Sequence, residues 1–294
     1  MAKNSAIEWT HHTFNPWWGC TKVSPGCKHC YAETWARRVG QDVWGARASR
    51  RELSEAYWRQ PLAWNAAALR TGERARVFCA SMADVFEDRR DLDSKRERLW
   101  ALIQQTPQLD WLLLTKRPQN VPSLAPYGEN WPDNVWLGAT AENQKWLDRR
   151  MRELGRLKAK ILFLSCEPLL GPLDFSAWKA AARHGAERMV DWVIAGGESG
   201  AHARPANPEW FISIRDQCLS SGVKFHFKQW GNWRPVASRQ VNGYKSKTMF
   251  LSSGDKIIVA NMGKKKAGRV LERKTWDDFP ALRRSQHASG DPQR

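Results

Sequence analysis

Three of the six cysteines lie within eleven positions near the N-terminus, in the stretch NPWWGCTKVSPGCKHCYAE. Cys20, Cys27 and Cys30 have the spacing C-x6-C-x2-C, between an apolar run and the start of a helical pattern. In a reducing compartment, closely spaced cysteines are more often metal ligands or catalytic groups than disulfides. Three thiolates on one loop are sufficient to bind a four-iron, four-sulfur (4Fe-4S) cluster that leaves one iron without a protein ligand.

A structural zinc site is the alternative chemistry for the same cysteines. Zinc prefers four ligands in a tetrahedron, and His11, His12 or His29 could supply the fourth ligand. A single catalytic thiol is a weaker interpretation, because three cysteines lie together with no evident base beside them. Ordinary unligated cysteines are the remaining alternative, so the spacing by itself leaves the metal open.

Seven short apolar runs have the character of β-strands, and they predict the elements that position the cysteine loop. The runs span residues 7–14, 75–81, 110–116, 134–140, 160–166, 191–197 and 223–229. Several of them are almost continuously apolar, which is typical of strands buried on both faces. Amphipathic patterns predict helices over 91–105, 143–157 and 207–222. Strands that alternate with helices indicate parallel pairing with right-handed crossovers.

The alternation of predicted strands and helices indicates an α/β fold, namely a complete or partial (β/α) barrel of parallel strands. A doubly wound open sheet is the competing architecture. The alternation ends near Trp230. We therefore expect a barrel domain over residues 1–231 and a basic, partly ordered C-terminal extension over 232–294. Cys79 and Cys166 fall inside predicted strands and Cys218 on the inner face of a predicted helix, so we expect all three in the core.

In either architecture the functional side chains should lie at the carboxyl ends of the strands, and a polar or ionisable group follows nearly every predicted strand. The candidate catalytic residues are Lys116, Arg117, Glu167 and Lys228, and the candidate cofactor-binding residues are Ser81, Thr140, Gly196, Gly197 and Glu198.

The cationic candidates could hold a phosphate or carboxylate, although a solvated pair at the rim is the alternative for Lys116 and Arg117. Glu167 precedes a proline, so we expect extended backbone there and a carboxylate directed into the barrel mouth. Such a carboxylate needs a partner, and Arg117 or Arg204 are the candidates. The segment AGGESG (195–200) offers close backbone approach at its glycines, with a plain tight turn as the alternative.

The net charge is +17. Residues 238–294 contain 13 Lys and Arg against 5 Asp and Glu, a net +8, which leaves +9 on the first 237 residues. A polyanionic partner is therefore expected, and nucleic acid is the commonest one, with a basic surface kept for solubility as the alternative. No run of eighteen apolar residues predicts a membrane helix, and the N-terminus lacks the apolar segment of a signal peptide, so we expect a cytoplasmic protein.

The cysteine loop after the first predicted strand resembles that of radical S-adenosylmethionine (SAM) enzymes. Their usual spacing is C-x3-C-x2-C, so the first gap here is three residues longer while the C-x2-C pair is kept. More narrowly, the chain resembles a phage and prophage protein family with a three-cysteine motif, whose members are radical-SAM-like (β/α) barrel proteins. The resemblance rests on NPWWGCTKVSPGCKHCYAE, ASMADVF, LLLTKRP, VWLGATAEN, FLSCEPLLGPL, WVIAGGESGAHARP and FKQWG, from residue 7 to about 231.

The resemblance implies that Cys20, Cys27 and Cys30 each ligate one iron and that the fourth iron chelates the methionine end of SAM. Reductive cleavage of SAM then yields a 5′-deoxyadenosyl radical that abstracts a hydrogen from the substrate. In such enzymes a glycine-glycine-glutamate segment after the second strand contacts the methionine amino group, whereas AGGESG follows the sixth predicted strand.

A reduced flavodoxin- or ferredoxin-type electron donor is also implied by the resemblance. Combined with the basic charge, it predicts modification or repair of a nucleic acid base or nucleotide. One alternative is a non-catalytic nucleic-acid-binding protein with a structural zinc, and another is an enzyme with a small-molecule or peptide substrate.

Overall fold

A computed structural model describes residues 5, 7–185, 188–241 and 243–281, and in it the seven predicted strands form one sheet. The strands are β1 His12–Thr13, β2 Ala75–Cys79, β3 Leu109–Thr115, β4 Val135–Thr140, β5 Ile161–Cys166, β6 Trp192–Gly196 and β7 Lys224–Gln229. Their spatial order follows the chain, and every adjacent pair is parallel. The predicted α/β fold with parallel strands is confirmed.

The first strand is much shorter than the predicted run over residues 7–14. The chain turns at its start, where Thr10 N donates to Ile7 O at 3.2 Å. This turn leaves only His12 and Thr13 to pair with β2. It also places Trp9 against the inner face of the sheet, where the side chain is buried.

The sheet is a partial barrel. No pairing joins β7 to β1 among the strands described. The Trp9 ring nevertheless lies 4.6 Å from the ring of Phe78 on β2 and 6.1 Å from that of Trp192 on β6. Because one side chain reaches strands four places apart, the sheet must be strongly curled. A cluster of buried aromatic and aliphatic side chains, including Trp136 and Phe163, fills the floor of the lumen.

Helices cover the outer face of the sheet and bury the larger apolar cluster against it. Helix α1 Tyr31–Arg38 packs instead in a separate small cluster with Trp18, Val43 and Met82. The covering helices are α2 Glu55–Trp58, α3 Gln60–Thr71, α4 Asp93–Gln105, α5 Val121–Leu124, α6 Gln144–Leu154, α7 Ser176–Arg183, α8 Pro208–Leu219 and α9 Lys264–Ala267. The three predicted helices correspond to α4, α6 and α8. Helix α6 stops before its predicted end because Gly155, a poor helix former, follows it. Cys79, Cys166 and Cys218 are buried, as expected.

A second, three-stranded antiparallel sheet follows the barrel, with β8 Trp233–Val236, β9 Ser246–Phe250 and β10 Lys256–Asn261 in the order β8-β10-β9. The chain then returns to β7, where Phe227 N donates to Trp276 O at 2.9 Å. Phe279 lies 5.1 Å from Trp192 and beneath the guanidinium of Arg76, so this segment packs across the open side of the lumen floor. The division at residue 231 stays a prediction.

No helix in the described ranges is long and apolar enough to cross a membrane.

Candidate functional site

The loop that carries the three cysteines runs along the carboxyl end of β2. Gly19 N donates to Met82 O at 2.9 Å, and Trp18 exchanges two backbone hydrogen bonds with Arg51. Gly19 has φ +116°, and a Cβ there would lie 2.3 Å from Val43 O, so glycine is required immediately before the first cysteine. Local backbone geometry therefore fixes where Cys20 begins the loop.

Cys20 lies beside a cation from the end of β3. Arg117 Nη1 is 3.7 Å from Cys20 Sγ, and Arg117 Nη2 donates to Thr21 O at 2.6 Å. Burial raises the pKa of the Cys20 thiol to about 12, while the guanidinium opposes that change. Arg117 is thus placed to stabilise a thiolate, which is the form that binds metals.

The other two cysteines also have cationic neighbours from the rim of the barrel. Burial raises the pKa of Cys30, and the positive charge of Lys116 acts to lower it. Burial lowers the pKa of Arg150, whereas the negative charges of Glu142 and of a Cys27 thiolate act to raise it. Cations from the rim of the barrel therefore oppose the effect of burial at Cys20 and at Cys30.

Within the described ranges there is no group of three or more His, Cys, Asp or Glu side chains placed to hold one metal ion. The three cysteines are free and partly exposed. A cluster on this loop stays a prediction.

The histidines suggested as a fourth zinc ligand have other contacts. His29 Nδ1 lies 3.2 Å from Glu198 Oε2, and His11 Nδ1 accepts from Arg76 N at 2.8 Å. The His12 ring stacks on Trp64 with the ring centroids 4.3 Å apart. These contacts give no support to a tetrahedral zinc site.

Arg117 is held by a buried carboxylate and does not pair with Glu167. Its Nη1 donates to Asp84 Oδ2 at 2.8 Å, and the same carboxylate accepts from Thr115 Oγ1 at 2.7 Å and from Lys116 N at 3.1 Å. The sequence could suggest Asp84 only as a strand-end residue. Its position shows that it fixes the β3 end beside the cysteine loop.

A second group of polar side chains lies at the mouth of the lumen. Lys116 Nζ donates to Thr140 Oγ1 at 3.1 Å. Glu167 Oε1 lies 3.1 Å from Lys228 Nζ, and both side chains are less than one-fifth exposed. Lys228 lies at a β-bulge, since Ala195 pairs with Phe227 and Gly196 with Gln229, and its ammonium group contacts the Glu167 carboxylate. The predicted partner of Glu167, Arg117 or Arg204, is therefore wrong, and the partner is Lys228.

The predicted cofactor segment 196–198 is close to other protein groups. A Cβ on Gly196 would lie 2.4 Å from Glu167 Oε1, so this glycine makes room for that carboxylate. A Cβ on Gly197 would lie 2.0 Å from Trp230 O, so this glycine permits close backbone packing. A cofactor role for the two glycines stays a prediction.

Glu198 joins the loop after β6 to the cysteine loop. Its Oε2 accepts from Arg204 N and from Arg204 Nε, both at 2.8 Å, and lies 3.2 Å from His29 Nδ1. Arg204 Nη2 also donates to Pro25 O at 3.1 Å. Burial raises the pKa of Glu198, but the hydrogen bonds from Arg204 and His29 outweigh it and leave the pKa below its usual value. The residue is an anionic anchor for the segment that carries Cys27 and Cys30.

Ser81 lies on the side of the mouth next to α1. Its carbonyl accepts from the Tyr31 hydroxyl at 2.9 Å, and its hydroxyl accepts from Asn15 Nδ2 at 3.2 Å. Cofactor binding by Ser81 and Thr140 stays a prediction.

Sequence reasoning missed the pair of Glu142 and Arg150. Arg150 Nη1 donates to Glu142 Oε2 at 2.7 Å, both side chains are almost fully buried, and Glu142 Oε1 accepts from Gly26 N at 3.1 Å. The sequence does indicate that Arg150 is buried, because this residue lies next to Met151 and three residues after Leu147, on the apolar stripe of α6. An arginine on such a stripe needs a buried anionic partner.

Comparison with solved structures finds a cysteine-to-serine mutant of spore photoproduct lyase at a TM-score of 0.46 and 14% identity, covering 87% of this chain and 70% of that chain. No curated protein matches the sequence. A family model described as "Protein of unknown function (DUF5131)" matches residues 4–280. That description mentions neither phage origin nor a cysteine motif, so the narrower resemblance stays a prediction. Because this match spans most of the chain, the chain belongs to the DUF5131 family.

Proposed function

We propose that the chain is a radical SAM-like enzyme whose cysteine loop binds a 4Fe-4S cluster. The observation that carries the proposal is the contact between Arg117 Nη1 and Cys20 Sγ, which lie 3.7 Å apart beside the carboxyl ends of the parallel strands. Arg117 opposes the effect of burial on Cys20, and the positive charge of Lys116 acts in the same direction on Cys30. Three cysteines on one loop can supply the three thiolates that a cluster with one open iron requires.

The cluster, when bound, would supply the electron for reductive cleavage of SAM. The chain's own contribution is to hold the loop and to orient the cofactor. Glu198, through Arg204 and His29, holds the second half of the loop, and Arg117 holds its first half at Thr21.

The lumen mouth offers groups complementary to the methionine end of SAM. Glu167 could accept from the ammonium group, and Lys228 could donate to the carboxylate. Lys116 and Thr140, which already share a hydrogen bond, lie at the ends of β3 and β4 and offer a cation and a hydroxyl. Ser81 and the segment Gly196, Gly197 and Glu198 complete the proposed border of this site.

The proposed substrate is a nucleic acid base or nucleotide, and its support is the net charge of +17. A reduced flavodoxin- or ferredoxin-type protein is the proposed electron donor.

The test is production of 5′-deoxyadenosine from SAM by chain reconstituted anaerobically with iron and sulfide and reduced with dithionite. We expect 5′-deoxyadenosine from the wild-type chain and none from a C20A/C27A/C30A variant with an unchanged melting temperature. Equal amounts from both proteins, or none from a wild-type chain that holds the cluster, would refute the proposal.

A further inference from the structure

A cavity of about 490 Å³ opens beside the cysteine loop. It lies between Thr21 and Val23 of that loop, the segments that follow β2 and β3, and helix α6. Its volume is in the range that ligand sites occupy. The cavity is distinct from the Glu167–Lys228 pair at the lumen mouth, because neither residue lines it.

The lining of this cavity is rich in arginine: Arg89, Arg117, Arg149 and Arg150 all contribute to it. Two carboxylates, Glu87 and Asp88, also line the cavity. Glu87 is neutralised by Arg50, whose Nη2 donates to Glu87 Oε1 at 2.8 Å. Arg89, Arg117 and Arg150 are likewise paired, with Asp91, Asp84 and Glu142 respectively. Among the described lining residues, the cations Lys116 and Arg149 then stand against the single carboxylate of Asp88, so the balance of charge still favours an anion.

Arg150 supplies the observation that points to a ligand. The whole residue is 1% exposed, its Nη1 donates to Glu142 and to Thr140 O, and its Nε donates to Lys116 O. Its Nη2 is buried and donates to no group in the described part of the chain. A buried N–H without an acceptor costs free energy, which an anionic oxygen in the cavity would recover.

Trp146 orders the two arginines of α6. The guanidinium carbon of Arg150 lies 4.3 Å from the Trp146 ring centroid, and that of Arg149 lies 5.4 Å from it. Stacking on one indole restricts both side chains before any ligand binds. A guanidinium fork held in this way matches the oxygens of a phosphate better than an ammonium does.

We propose that this cavity binds a phosphate group of the substrate, with Arg149 and Arg150 as its ligands. The proposal rests on the proposed function, since it specifies how a nucleic acid or nucleotide is held. The phosphate belongs either to a nucleic acid backbone or to a free nucleotide. Both sources present the same anionic oxygens to the arginines. Competition between an oligonucleotide and a free nucleotide distinguishes them.

The test measures binding by the full chain without a cluster, using fluorescence anisotropy of a labelled single-stranded oligonucleotide. Arg149→Gln removes an exposed guanidinium from the cavity, and Arg152→Gln removes an exposed guanidinium from the same helix outside it. We expect R149Q to weaken binding about tenfold, the value of one charge-assisted hydrogen bond. We also expect it to reduce the slope of log affinity against log salt by about 1. R152Q should change affinity less than about twofold.

Competition with a nucleoside monophosphate identifies the source of the phosphate. Displacement at micromolar concentrations supports a nucleotide, whereas binding of the oligonucleotide without such displacement supports a backbone phosphate. Arg150→Lys keeps the charge opposite Glu142 but removes Nη2, so it should weaken phosphate binding. It also loses hydrogen bonds to Lys116 O and Thr140 O, so its melting temperature should fall, whereas that of R149Q, at an exposed residue, should not.

Equal effects of R149Q and R152Q would overturn the phosphate site, as would absence of binding to both probes at low salt. Neither result depends on iron. A chain that binds phosphate here but never forms a cluster would refute the proposed function and leave the phosphate site standing.

Discussion

The carboxylate of Glu198 lies 3.2 Å from the imidazole Nδ1 of His29, so the loop after β6 reaches across the barrel mouth to the cysteine loop. Arg204 extends this contact, because it donates both to Glu198 and to the carbonyl of Pro25. The two strands that these loops follow, β1 and β6, lie far apart in the sheet. The cysteine loop is therefore held from both sides of the barrel, by Arg117 on one side and by Glu198 on the other.

Replacing Glu198 by Gln should loosen the second half of the cysteine loop. The amide cannot neutralise Arg204, so the free energy of unfolding should fall by about 1–3 kcal/mol. The iron retained per chain after anaerobic reconstitution and desalting should fall as well, because Cys27 and Cys30 lose their anchor.

Glu97→Gln is the matched control, since Glu97 is an exposed carboxylate on α4. The anchoring role would be disproved if E198Q retained iron as well as E97Q does while being less stable.

The pair of Glu167 and Lys228 should matter more for SAM cleavage than for folding. Glu167→Gln keeps the shape of the side chain but removes the charge proposed to face the methionine ammonium. We expect the rate of 5′-deoxyadenosine formation to fall by about 10- to 100-fold, as for loss of one hydrogen bond to a charged group. The measurement is the initial rate, with the melting temperature recorded in parallel.

A double-mutant cycle of Glu167→Gln with Lys228→Met distinguishes a role of the two residues in SAM binding from a purely structural ion pair between them. If the pair only stabilises the fold, the double variant should recover the wild-type rate, and the proposed role in cofactor binding would be abandoned.

Arg50 and Glu87 form a buried ion pair that should dominate the stability of residues 43–50. Their side chains are only 1% and 4% exposed, and Arg50 Nη1 also donates to Val43 O and Ala48 O. Arg50→Met leaves the Glu87 carboxylate buried without its main partner. We expect the free energy of unfolding to fall by about 3–5 kcal/mol in urea denaturation.

Arg51→Met is the control. Arg51 is exposed and stacks on Trp18 with its guanidinium carbon 4.5 Å from the ring centroid. Its loss should cost about 0.5–1 kcal/mol. Similar losses for R50M and R51M would show that the buried pair contributes little.

His226 should make the barrel less stable at acidic pH. Burial lowers its pKa to about 4, and the positive charge of Arg269 acts in the same direction while Asp277 opposes it. The unfolded chain binds the proton near pH 6.5, before the folded chain does. The contribution of neutral, buried His226 to the free energy of unfolding is thus fully present above about pH 6.5. It is lost as the pH falls toward 4, by up to about 3 kcal/mol.

The measurement is urea unfolding at pH 7.5 and at pH 5.0 for the wild-type chain and for His226→Gln. The variant should lose part of the difference between the two pH values. An identical pH dependence in both proteins would rule out His226 as its source.

The barrel could be predicted from the sequence because its strands are locally encoded. Runs such as WLLLT and ILFLS are apolar enough to be strands in any context, and Asn207 and Pro208 mark the start of α8 without tertiary information. The first strand was overestimated because Trp9 is equally apolar whether it pairs in a strand or fills the lumen after a turn.

The ion pairs and hydrogen bonds within the site could not be predicted, because they join side chains from strands that are distant in the sequence and meet only in the folded barrel. Glu167 pairs with Lys228, which lies sixty-one positions away on β7, and no local pattern distinguishes it from Arg117. The burial of Arg150 on α6 was visible as an irregular position in an apolar stripe, but its partner Glu142 was not.

Metal content of the chain purified without oxygen distinguishes an iron–sulfur cluster from zinc at the three cysteines. We expect about four iron atoms with matching acid-labile sulfide per chain, absent from the C20A/C27A/C30A variant. About one zinc and no iron, bound by the same three cysteines, would contradict this expectation.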